Sequence, residues 1–596
     1  MGVNGRPPDF PPGGLDLDRP NRRQAMKSVV SFSGMCLILL AGGKAAAGLS
    51  DPFAPPPGYY SGVSGTGAIL KAQLGSAMTV GHIERTYGDF RSSAAIHDQD
   101  PDNPTRILLC YNRASVPATW DGGSTWNREH VWPQSMQPGT ASNSTRGALG
   151  DPHALLPANP SINSSRGNKP FGFAETTGEH RSLGSYYFPG DMDKGDIARI
   201  LFYMDTRWGP SLGLALVDGP ASGYQMPGLS DAVAWHFIDP PDTFERRRNH
   251  AIFSQTLNPL FYTNNRNAFV DMPEAVWSVY VDQQNDSTLW VGPSPDADGS
   301  SIEMVTINVL VSTSAPTVDI DLHKSGQDGT YFSVTPSPGL TSSITGRHNA
   351  FAIGSNGESR TISIGVDPSL LAQPGVHIES IVIDNLDLTQ QGGMGKGAND
   401  GDDVIAVDVA VFEPAVASLD HDSVLTETVI DLGVITPNSG DAVGWFDFFN
   451  LAPTATGAPM DIEWISASGD TGAFVIDFQP VSSLQPGSGV IVTAMMDDAV
   501  AGTFEAVYTF AAYNDRGLFA EPGPAQDLVV RLVGEVSGSC GPDFAEPFGT
   551  LNFFDVAAYI SLYNAQDPAA DLAAPFGTLN FFDISAYIAA YGAGCP

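Results

Sequence analysis

Hydrophobic patterning along the chain changes near Tyr280. Before that point, apolar residues at helical spacing alternate with loops rich in Pro, Asn and Gly, and we expect helices over Gly67–Met78 and Asp193–Tyr203. After it, the apolar runs are short, β-branched and bounded by turn residues, a pattern typical of strands in antiparallel sandwiches. These runs are Met304–Val311, Thr361–Val366, Ser380–Ile383, Val404–Val411, Val490–Met495 and Leu528–Val533.

The length of 596 residues is about four times the ~150-residue prior for one domain, so we predict a multidomain protein. We expect an α+β domain, then two all-β sandwiches of immunoglobulin-like type, then a small module of paired helices. The predicted boundaries are a signal peptide at 1–47, the α+β domain at 48–280, the sandwiches at 281–413 and 414–536, and the terminal module at 537–596.

The N-terminal segment has the pattern of an export signal. Arg22, Arg23 and Lys27 precede the largely apolar stretch Ser28–Gly43, and small residues follow. The paired arginines also loosely resemble a twin-arginine signal. A single membrane anchor is the alternative, although Ser and Gly interrupt the stretch. We therefore predict a secreted protein without a membrane segment in its mature form, either free, attached to the cell surface or periplasmic.

Charge is unevenly distributed along the chain. Residues 1–47 have a net charge of +3, residues 48–280 of −5 and residues 281–596 of −35. An acidic surface repels phosphate, so the C-terminal half is excluded as a general binder of nucleic acid or anionic membranes. Chemistry on a polyanion is therefore expected within residues 48–280.

The last residues contain an internal duplication. Pro547–Asp555 recurs as Pro575–Asp583, and each copy is followed by a helix-like run, Val556–Tyr563 and Ile584–Tyr591. The duplication resembles paired dockerin-type or EF-hand-like repeats. Such a resemblance implies calcium loops, but here Ala and Pro occupy two positions where calcium loops carry oxygen ligands. We favour an attachment module that binds a surface or scaffold partner, and calcium binding stays an open alternative.

The positions of two cysteines predict a disulfide bond that closes this module. Cys540 and Cys595 bracket the duplication, and in an oxidising compartment they could form a disulfide.

The strongest chemical signal is Asn127–Gln134 (NREHVWPQ). Adjacent Glu129 and His130 offer a metal carboxylate and a base, and Asn163 further along offers a neutral oxygen ligand for a hard cation such as Mg²⁺. This donor set leaves positions on the ion for water and substrate phosphate, as phosphodiester cleavage requires. It lacks the His and Cys richness of a zinc site.

The stretch from about Tyr60 to Glu274 resembles the endonuclease I family, secreted or periplasmic nucleases of the ββα-metal (His-Me finger) class. The resemblance rests on several motifs in the same order, which makes it specific. They are Tyr59–Lys71, Asp98–Pro101, Asn127–Ser135, Lys194–Met204, Glu245–Asn249 and Asn265–Asp271.

The resemblance implies a role for each matching residue. His130 would be the general base on a β-hairpin, and Glu129 and Asn163 would ligate one Mg²⁺, Asn163 from the facing helix. Arg166 would share the helix face of Asn163 and hold a phosphate, with Arg146 as a second phosphate clamp. Three further residues are expected to support the site: Asn127, Asp151 and His153. For Asp151 and His153, orienting the site through hydrogen bonds is favoured over metal ligation.

The expected function is an exported, Mg²⁺-dependent endonuclease without sequence specificity. It would hydrolyse DNA, with RNA as an open alternative, to 5′-phosphate ends. The competing hypothesis is a cell-surface adhesion or scaffold protein that carries a vestigial nuclease domain. The intact Glu129, His130 and Asn163 favour the enzyme, and the long acidic C-terminal half shows that attachment is part of either function.

Overall fold

A computed structural model describes residues 51–594 except 282, 387–399, 438 and 539. The predicted signal peptide at 1–47 and Cys595 lie outside the described residues. Cys540 is disulfide-bonded, and its predicted pairing with Cys595 stays a prediction.

Residues 51–281, here called the N-terminal region, are helices and loops with a few short strands. The helices are α1 (Gly67–Ala77), α2 (Phe90–His97), α3 (Pro160–Arg166), α4 (Lys194–Tyr203), α5 (Gly209–Leu212), α6 (Leu229–Ile238), α7 (Thr243–Phe253) and α8 (Ala268–Asp271). The strands are β1 (Gln99–Asp100), β2 (Asn103–Leu108), β3 (Ser115–Pro117), β4 (Asn127–His130), β5 (Leu155–Ala158), β6 (Arg181–Leu183), β7 (Tyr186–Phe188), β8 (Ala215–Val217) and β9 (Gln225–Pro227). Shorter turns are the 3₁₀ segments Gln134–Met136 and Gly147–Gly150 and the π-helical segments Met204–Trp208 and Trp277–Val281.

The core of the N-terminal region is built around α4. Helices α1 and α4 confirm the two helices predicted from periodicity. Helix α4 is buried on nearly all sides and packs against α6. At Gly195 a Cβ atom would lie 2.0 Å from the Asp239 carbonyl, so only glycine permits this approach. Within the core, the Arg199 guanidinium of α4 binds Glu245 of α7, with Nε–O distances of 2.8 Å.

Residues 288–412 form the first sandwich, in which two sheets share one hydrophobic core. One sheet has the order β10-β12-β16-β14 and the other β11-β18-β17-β13-β15. The strands are β10 (Thr288–Val291), β11 (Ser301–Leu310), β12 (Val318–Ser325), β13 (Thr330–Pro336), β14 (Leu340–Ser342), β15 (Gly346–Phe351), β16 (Ser359–Val366), β17 (Gly375–Asn385) and β18 (Asp403–Phe412).

Residues 417–536 form the second sandwich on the same plan, with sheets β19-β21-β25-β23 and β20-β27-β26-β22-β24. A 3₁₀ turn, Thr471–Ala473, precedes one of its strands. The strands are β19 (Ala417–Ser418), β20 (Glu427–Ile435), β21 (Ala442–Asn450), β22 (Met460–Gly469), β23 (Phe474–Ile476), β24 (Val481–Leu484), β25 (Gly489–Met496), β26 (Gly502–Asn514) and β27 (Gln526–Val536).

The expectation of purely antiparallel sandwiches is wrong at one pair of strands in each. Strands β11 and β18 pair in parallel, and so do β20 and β27. In both sandwiches an early strand lies beside the last strand of the same sheet. The intervening chain crosses between the sheets, which provides the long connection that a parallel pair requires.

The N-terminal region and the first sandwich are in direct contact. The Tyr331 hydroxyl donates to the His236 carbonyl at 2.6 Å, and Arg347 forms an ion pair with Glu274. The His348 ring lies 3.1 Å from the Val270 carbonyl. The first sandwich is therefore packed against the N-terminal region through several specific bonds.

Residues 537–594, here called the terminal module, contain α9 (Phe553–Asn564), the 3₁₀ turn Pro568–Ala570 and α10 (Phe581–Ala593). Both helices begin three residues before the predicted runs. In each, an Asn caps the helix and the Asp three residues later bonds back to it, closing a capping box, Asn552 with Asp555 and Asn580 with Asp583. Among the described residues, no helix is long and apolar enough to cross a membrane.

Candidate active site

The predicted site residues converge on a pair of strands and the short helix that follows them. Strand β4 pairs antiparallel with β5, so that Glu129 lies opposite Leu156 and His130 opposite Leu155. Helix α3 starts directly afterwards, because the Asn159 side chain accepts from two backbone N–H groups and Pro160 fits the first turn. This local order of strand, strand and helix agrees with the sequence-based expectation.

Helix α3 contacts β4 through Asn163. The Asn163 amide donates to the Asn127 side chain at 2.8 Å and lies 3.4 Å from the Arg128 carbonyl. Because its NH₂ group is engaged, the Asn163 carbonyl oxygen remains as a ligand atom. Asn127 therefore holds Asn163 in place.

His130 is held in one orientation by its backbone and ring contacts. Its Nε2 lies 3.1 Å from the Leu149 carbonyl, and Tyr87 stacks on the ring at 4.9 Å. A carbonyl only accepts, so Nε2 carries the proton and Nδ1 is left as the basic nitrogen. Burial lowers the pKa of His130 to about 4, which keeps the imidazole neutral and able to accept a proton.

Glu129 is 2% exposed and accepts two hydrogen bonds at the same oxygen. The Tyr111 hydroxyl donates to Oε1 at 2.7 Å, and the Arg166 guanidinium does so at 2.8 Å. Burial raises the pKa of Glu129, and Arg166 and Tyr111 oppose that shift. In the part of the chain that the structure describes, Oε2 accepts no hydrogen bond, so it is the oxygen left for a ligand.

Tyr111 is a site residue that the sequence analysis missed. It adopts a φ of 73°, which is rare for a bulky residue, and its backbone N–H donates to Asp193 at 2.7 Å. Asp193 and Arg113 form an ion pair at 2.9 Å that fixes the same turn. No local motif marks Tyr111, because its contact with Glu129 exists only once the turn is anchored to the residue that precedes α4.

Arg166 differs from the expectation that it holds a substrate phosphate. It is 1% exposed, and besides Glu129 it donates to the His130 and Val131 carbonyls at 2.8 and 2.7 Å. The Phe171 ring covers the guanidinium at 4.4 Å. It does share the helix face of Asn163, as the spacing predicts, but that face points at β4 and not at an open cleft. The guanidinium is committed to protein acceptors.

Asp151 and His153 lie in a buried network next to the site. Asp151 accepts from Tyr203 at 2.7 Å and from Trp208 at 2.9 Å, and its other oxygen accepts the His153 backbone N–H at 2.9 Å. Asp151 directly follows the turn that carries the Leu149 carbonyl. This network holds the acceptor that orients His130, which agrees with an orienting role for Asp151.

Several arginines lie on the segments next to His130. Arg146 is exposed, bonds the Glu84 carbonyl and lies close enough to Arg85 to affect its ionisation. Arg128 stacks over the Tyr87 ring at 3.5 Å, on the ring that also contacts His130, and Arg91 lies near Arg128. The N-terminal region thus has a local basic surface despite its negative net charge, and Arg146 belongs to it.

The donor atoms at this site fit a hard divalent cation. Glu129 Oε2 and the Asn163 carbonyl are both oxygen donors. The thiol of Cys110 interacts with Glu129, but burial raises the pKa of Cys110 well above its usual range, so it offers no thiolate to a soft metal. Among the described residues, no group of three or more His, Cys, Asp and Glu side chains is arranged to hold a metal. A metal here would depend on water and substrate phosphate for its remaining ligands.

Comparison with known proteins decides the family. Residues 70–274 match the family model described as Endonuclease I. The chain is 37% identical over 239 residues to an extracellular ribonuclease of Bacillus amyloliquefaciens, covering 37% of this chain and 78% of that protein. It is 35% identical over 236 residues to an extracellular ribonuclease of Bacillus subtilis (strain 168), again covering 37% and 78%.

The chain belongs to the endonuclease I family. This confirms the resemblance read from the sequence. As a member of the endonuclease I family, the chain is a nuclease, a phosphodiester hydrolase whose substrate is nucleic acid.

Likeness of the endonuclease I chain to solved structures is weak. A protein of unknown function from Porphyromonas gingivalis W83 is 13% identical, covers 42% of this chain and 96% of that chain, and has a TM-score of 0.15. The fimbrial adhesin CfaE of Escherichia coli is 7% identical, with coverages of 40% and 98% and a TM-score of 0.20. Scores this low support no statement about shared fold or function.

Proposed function

We propose that this protein is an exported, Mg²⁺-dependent endonuclease that cleaves nucleic acid without sequence specificity and leaves 5′-phosphate ends. The observation that carries the proposal is the arrangement of two adjacent residues on β4, Glu129 and His130. The ring of His130 is fixed so that Nδ1 is the basic nitrogen. Glu129 accepts hydrogen bonds at Oε1, and its Oε2 is available for a ligand.

The chemistry of the chain's own residues begins at His130. Nδ1 accepts a proton from the attacking water while the Leu149 carbonyl holds Nε2–H, so the ring neither flips nor changes tautomer. The water oxygen forms a bond to phosphorus, and the bond from phosphorus to the 3′ oxygen breaks. The leaving 3′ oxygen takes a proton from solvent, so the products are a 5′-phosphate and a 3′-hydroxyl, and the protonated imidazole returns its proton to solvent.

Glu129 and Asn163 would hold the metal ion. When bound, Mg²⁺ supplies neutralisation of the charge that develops on the phosphate and on the leaving oxygen. Tyr111 and Arg166 keep Glu129 from rotating, and Asn127 keeps Asn163 from rotating. Positioning of this kind around a metal ligand contributes about 10–100-fold to affinity or activity.

The arginine cluster supports a substrate recognised by its backbone. Arg85 lies near Arg146 and Arg128 lies near Arg91, all on segments next to His130, and contacts of Arg with phosphate carry no sequence information. The two Bacillus relatives are named ribonucleases. We therefore propose that the protein cleaves RNA as well as DNA, and that it acts outside the cell as those relatives do.

A plasmid and a long single-stranded RNA serve as the test substrates for the chain from residue 48 to 596. We expect cleavage of both with Mg²⁺, none with EDTA, and a drop of about 10²–10⁴-fold for His130→Ala. His421→Ala is the matched control, because this histidine is exposed in the second sandwich. Full activity of folded His130→Ala would refute the assigned base, and an inactive but folded wild type would favour the vestigial-nuclease hypothesis.

A further inference from the structure

The terminal module exposes the same apolar stripe on both of its helices. Each stripe has an aromatic residue at the helix start, followed at intervals of three and four residues by aliphatic side chains, so its members share one face. The stripes are Phe553, Val556 and Ile560 on α9 and Phe581, Ile584 and Ile588 on α10. The duplication in the sequence has therefore duplicated a surface.

The aliphatic members of the two stripes line an apolar groove of about 310 Å³, together with tyrosines from both helices. At its base the Tyr559 and Tyr587 rings stack face to face, 3.9 Å apart and 3° from parallel, and both are buried. At its edges Ile560 and Ile588 are 52% and 63% exposed. The phenylalanines at the helix starts, Phe553 and Phe581, are 77% and 73% exposed. Soluble proteins rarely leave so much contiguous apolar surface uncovered unless it binds something.

The charge of the module restricts what can cover this groove. Residues 537–594 contain six acidic side chains and no Lys, Arg or His. Anionic lipid and nucleic acid would be repelled, and a second copy of the module would bring two acidic surfaces together. A partner that supplies positive charge beside apolar side chains is complementary to the groove.

The shape of the groove indicates the form of that partner. The groove is lined by α9 from Val556 to Asn564 and by α10 from Ile584 to Tyr591, so it suits a third helix, whose side chains at intervals of three and four residues enter it. We propose that the terminal module binds an amphipathic helical segment of another protein, with Lys or Arg flanking its apolar stripe. This inference is independent of the nuclease activity and concerns the protein to which the enzyme attaches.

The probe is an 18-residue peptide of Leu and Lys in which Leu forms a single helical stripe, labelled for fluorescence anisotropy. The first control peptide has the same composition but scrambled order, and the second replaces every Lys by Glu. The chain from residue 48 to 596 is expected to bind the striped Lys peptide at least tenfold more tightly than either control. If the scrambled peptide bound equally well, its net charge alone would explain the binding, and the proposal would be overturned.

The matching protein variant is Ile560→Ser combined with Ile588→Ser. Both side chains are exposed, so the fold is expected to persist, which circular dichroism and the melting temperature check. Binding of the striped peptide is expected to fall at least tenfold. Ile302→Ser combined with Met304→Ser removes comparably exposed apolar side chains from the first sandwich and is expected to leave binding unchanged.

Three further results would overturn the proposal. The striped peptide fails to bind the folded wild type, or it binds the groove variant as tightly as wild type. Alternatively, light scattering shows a wild-type dimer that the groove variant abolishes, which would assign the groove to a second copy of the chain.

Discussion

The N-terminal region and the second sandwich use charge in opposite ways. In the N-terminal region Arg166, Arg199 and Arg266 are completely buried, and each is bonded to a carboxylate. In the second sandwich the core is aromatic and aliphatic, and ion pairs such as Arg531 with Glu505 lie on the surface.

This difference shows that buried ion pairs fix side-chain geometry in the N-terminal region, whereas the apolar core of the second sandwich mainly provides stability. A buried ion pair tolerates very few arrangements, because each partner left unpaired costs several kcal/mol. An apolar core accepts repacking with little change in fold. The region that contains the candidate active site therefore has the stricter architecture, and the cores of the sandwiches tolerate more variation.

The largest expected effect comes from breaking a buried pair in the N-terminal region. Arg199→Met leaves the Glu245 carboxylate buried without its cation, so we expect a loss of about 3–5 kcal/mol in the unfolding free energy of that region. Arg531→Met removes an exposed pair, for which about 0–1 kcal/mol is expected. Calorimetric melting of the two variants measures both values, and equal losses would contradict the comparison.

Phe510→Ala tests the aromatic core of the second sandwich. The Phe510 ring is fully buried and contacts Phe446, Phe448 and Phe478, so its truncation leaves a cavity that costs about 3–5 kcal/mol. We expect the sandwich to melt at a lower temperature while the rate of RNA cleavage stays unchanged. If the rate of RNA cleavage by the folded variant also fell, the second sandwich would contribute to activity as well as to stability.

Tyr111→Phe tests whether the hydrogen bond to Glu129 positions a metal ligand. We expect activity to fall about 10–100-fold and the Mg²⁺ concentration for half-maximal rate to rise, because Glu129 loses one of its two donors. Tyr224→Phe, in an exposed loop, is the control. Direct Mn²⁺ binding followed by electron paramagnetic resonance separates weaker metal binding from misfolding, and unchanged metal affinity would contradict the positioning role.

The smallest expected effect is a pH dependence at the contact between the N-terminal region and the first sandwich. Burial lowers the pKa of His348 to about 3, helped by Arg246 and Arg347 and opposed by Asp51. The unfolded chain therefore binds a proton that the folded chain excludes, so stability is lost as pH falls from about 6.5 towards 3.

His348→Gln removes that titration, and we expect its melting temperature to fall less than that of wild type between pH 7 and pH 5. The measurement is a series of calorimetric melts across this range. Identical pH profiles for the two proteins would show that His348 does not contribute.

The sequence predicted those features that depend on short stretches. Helices α1 and α4 follow from periodicity, and six of the sandwich strands follow from β-branched runs between turn residues, namely β11, β16, β17, β18, β25 and β27. The starts of α9 and α10 were predicted three residues late, because the capping box makes Asn552 and Asn580 the caps. The adjacency of Glu129 and His130 needed only the sequence.

Contacts between distant segments were beyond the sequence. Arg166 lies on the predicted helix face, but whether that face meets solvent or β4 depends on how α3 docks. Tyr111 reaches Glu129 only because Asp193 holds its turn. The parallel pairs β11–β18 and β20–β27 join strands far apart in the chain, and local pattern says nothing about such pairings.

By itself, the sequence determined the family and singled out Glu129 and His130 as the candidate pair, since these depend on residue types and local spacing. The tertiary structure alone decided which oxygen of Glu129 stays free, which nitrogen of His130 is basic, and that Arg166 is buried. The physical reason is that hydrogen bonds and burial are settled by whichever groups the fold brings within about 3 Å, regardless of their separation along the chain.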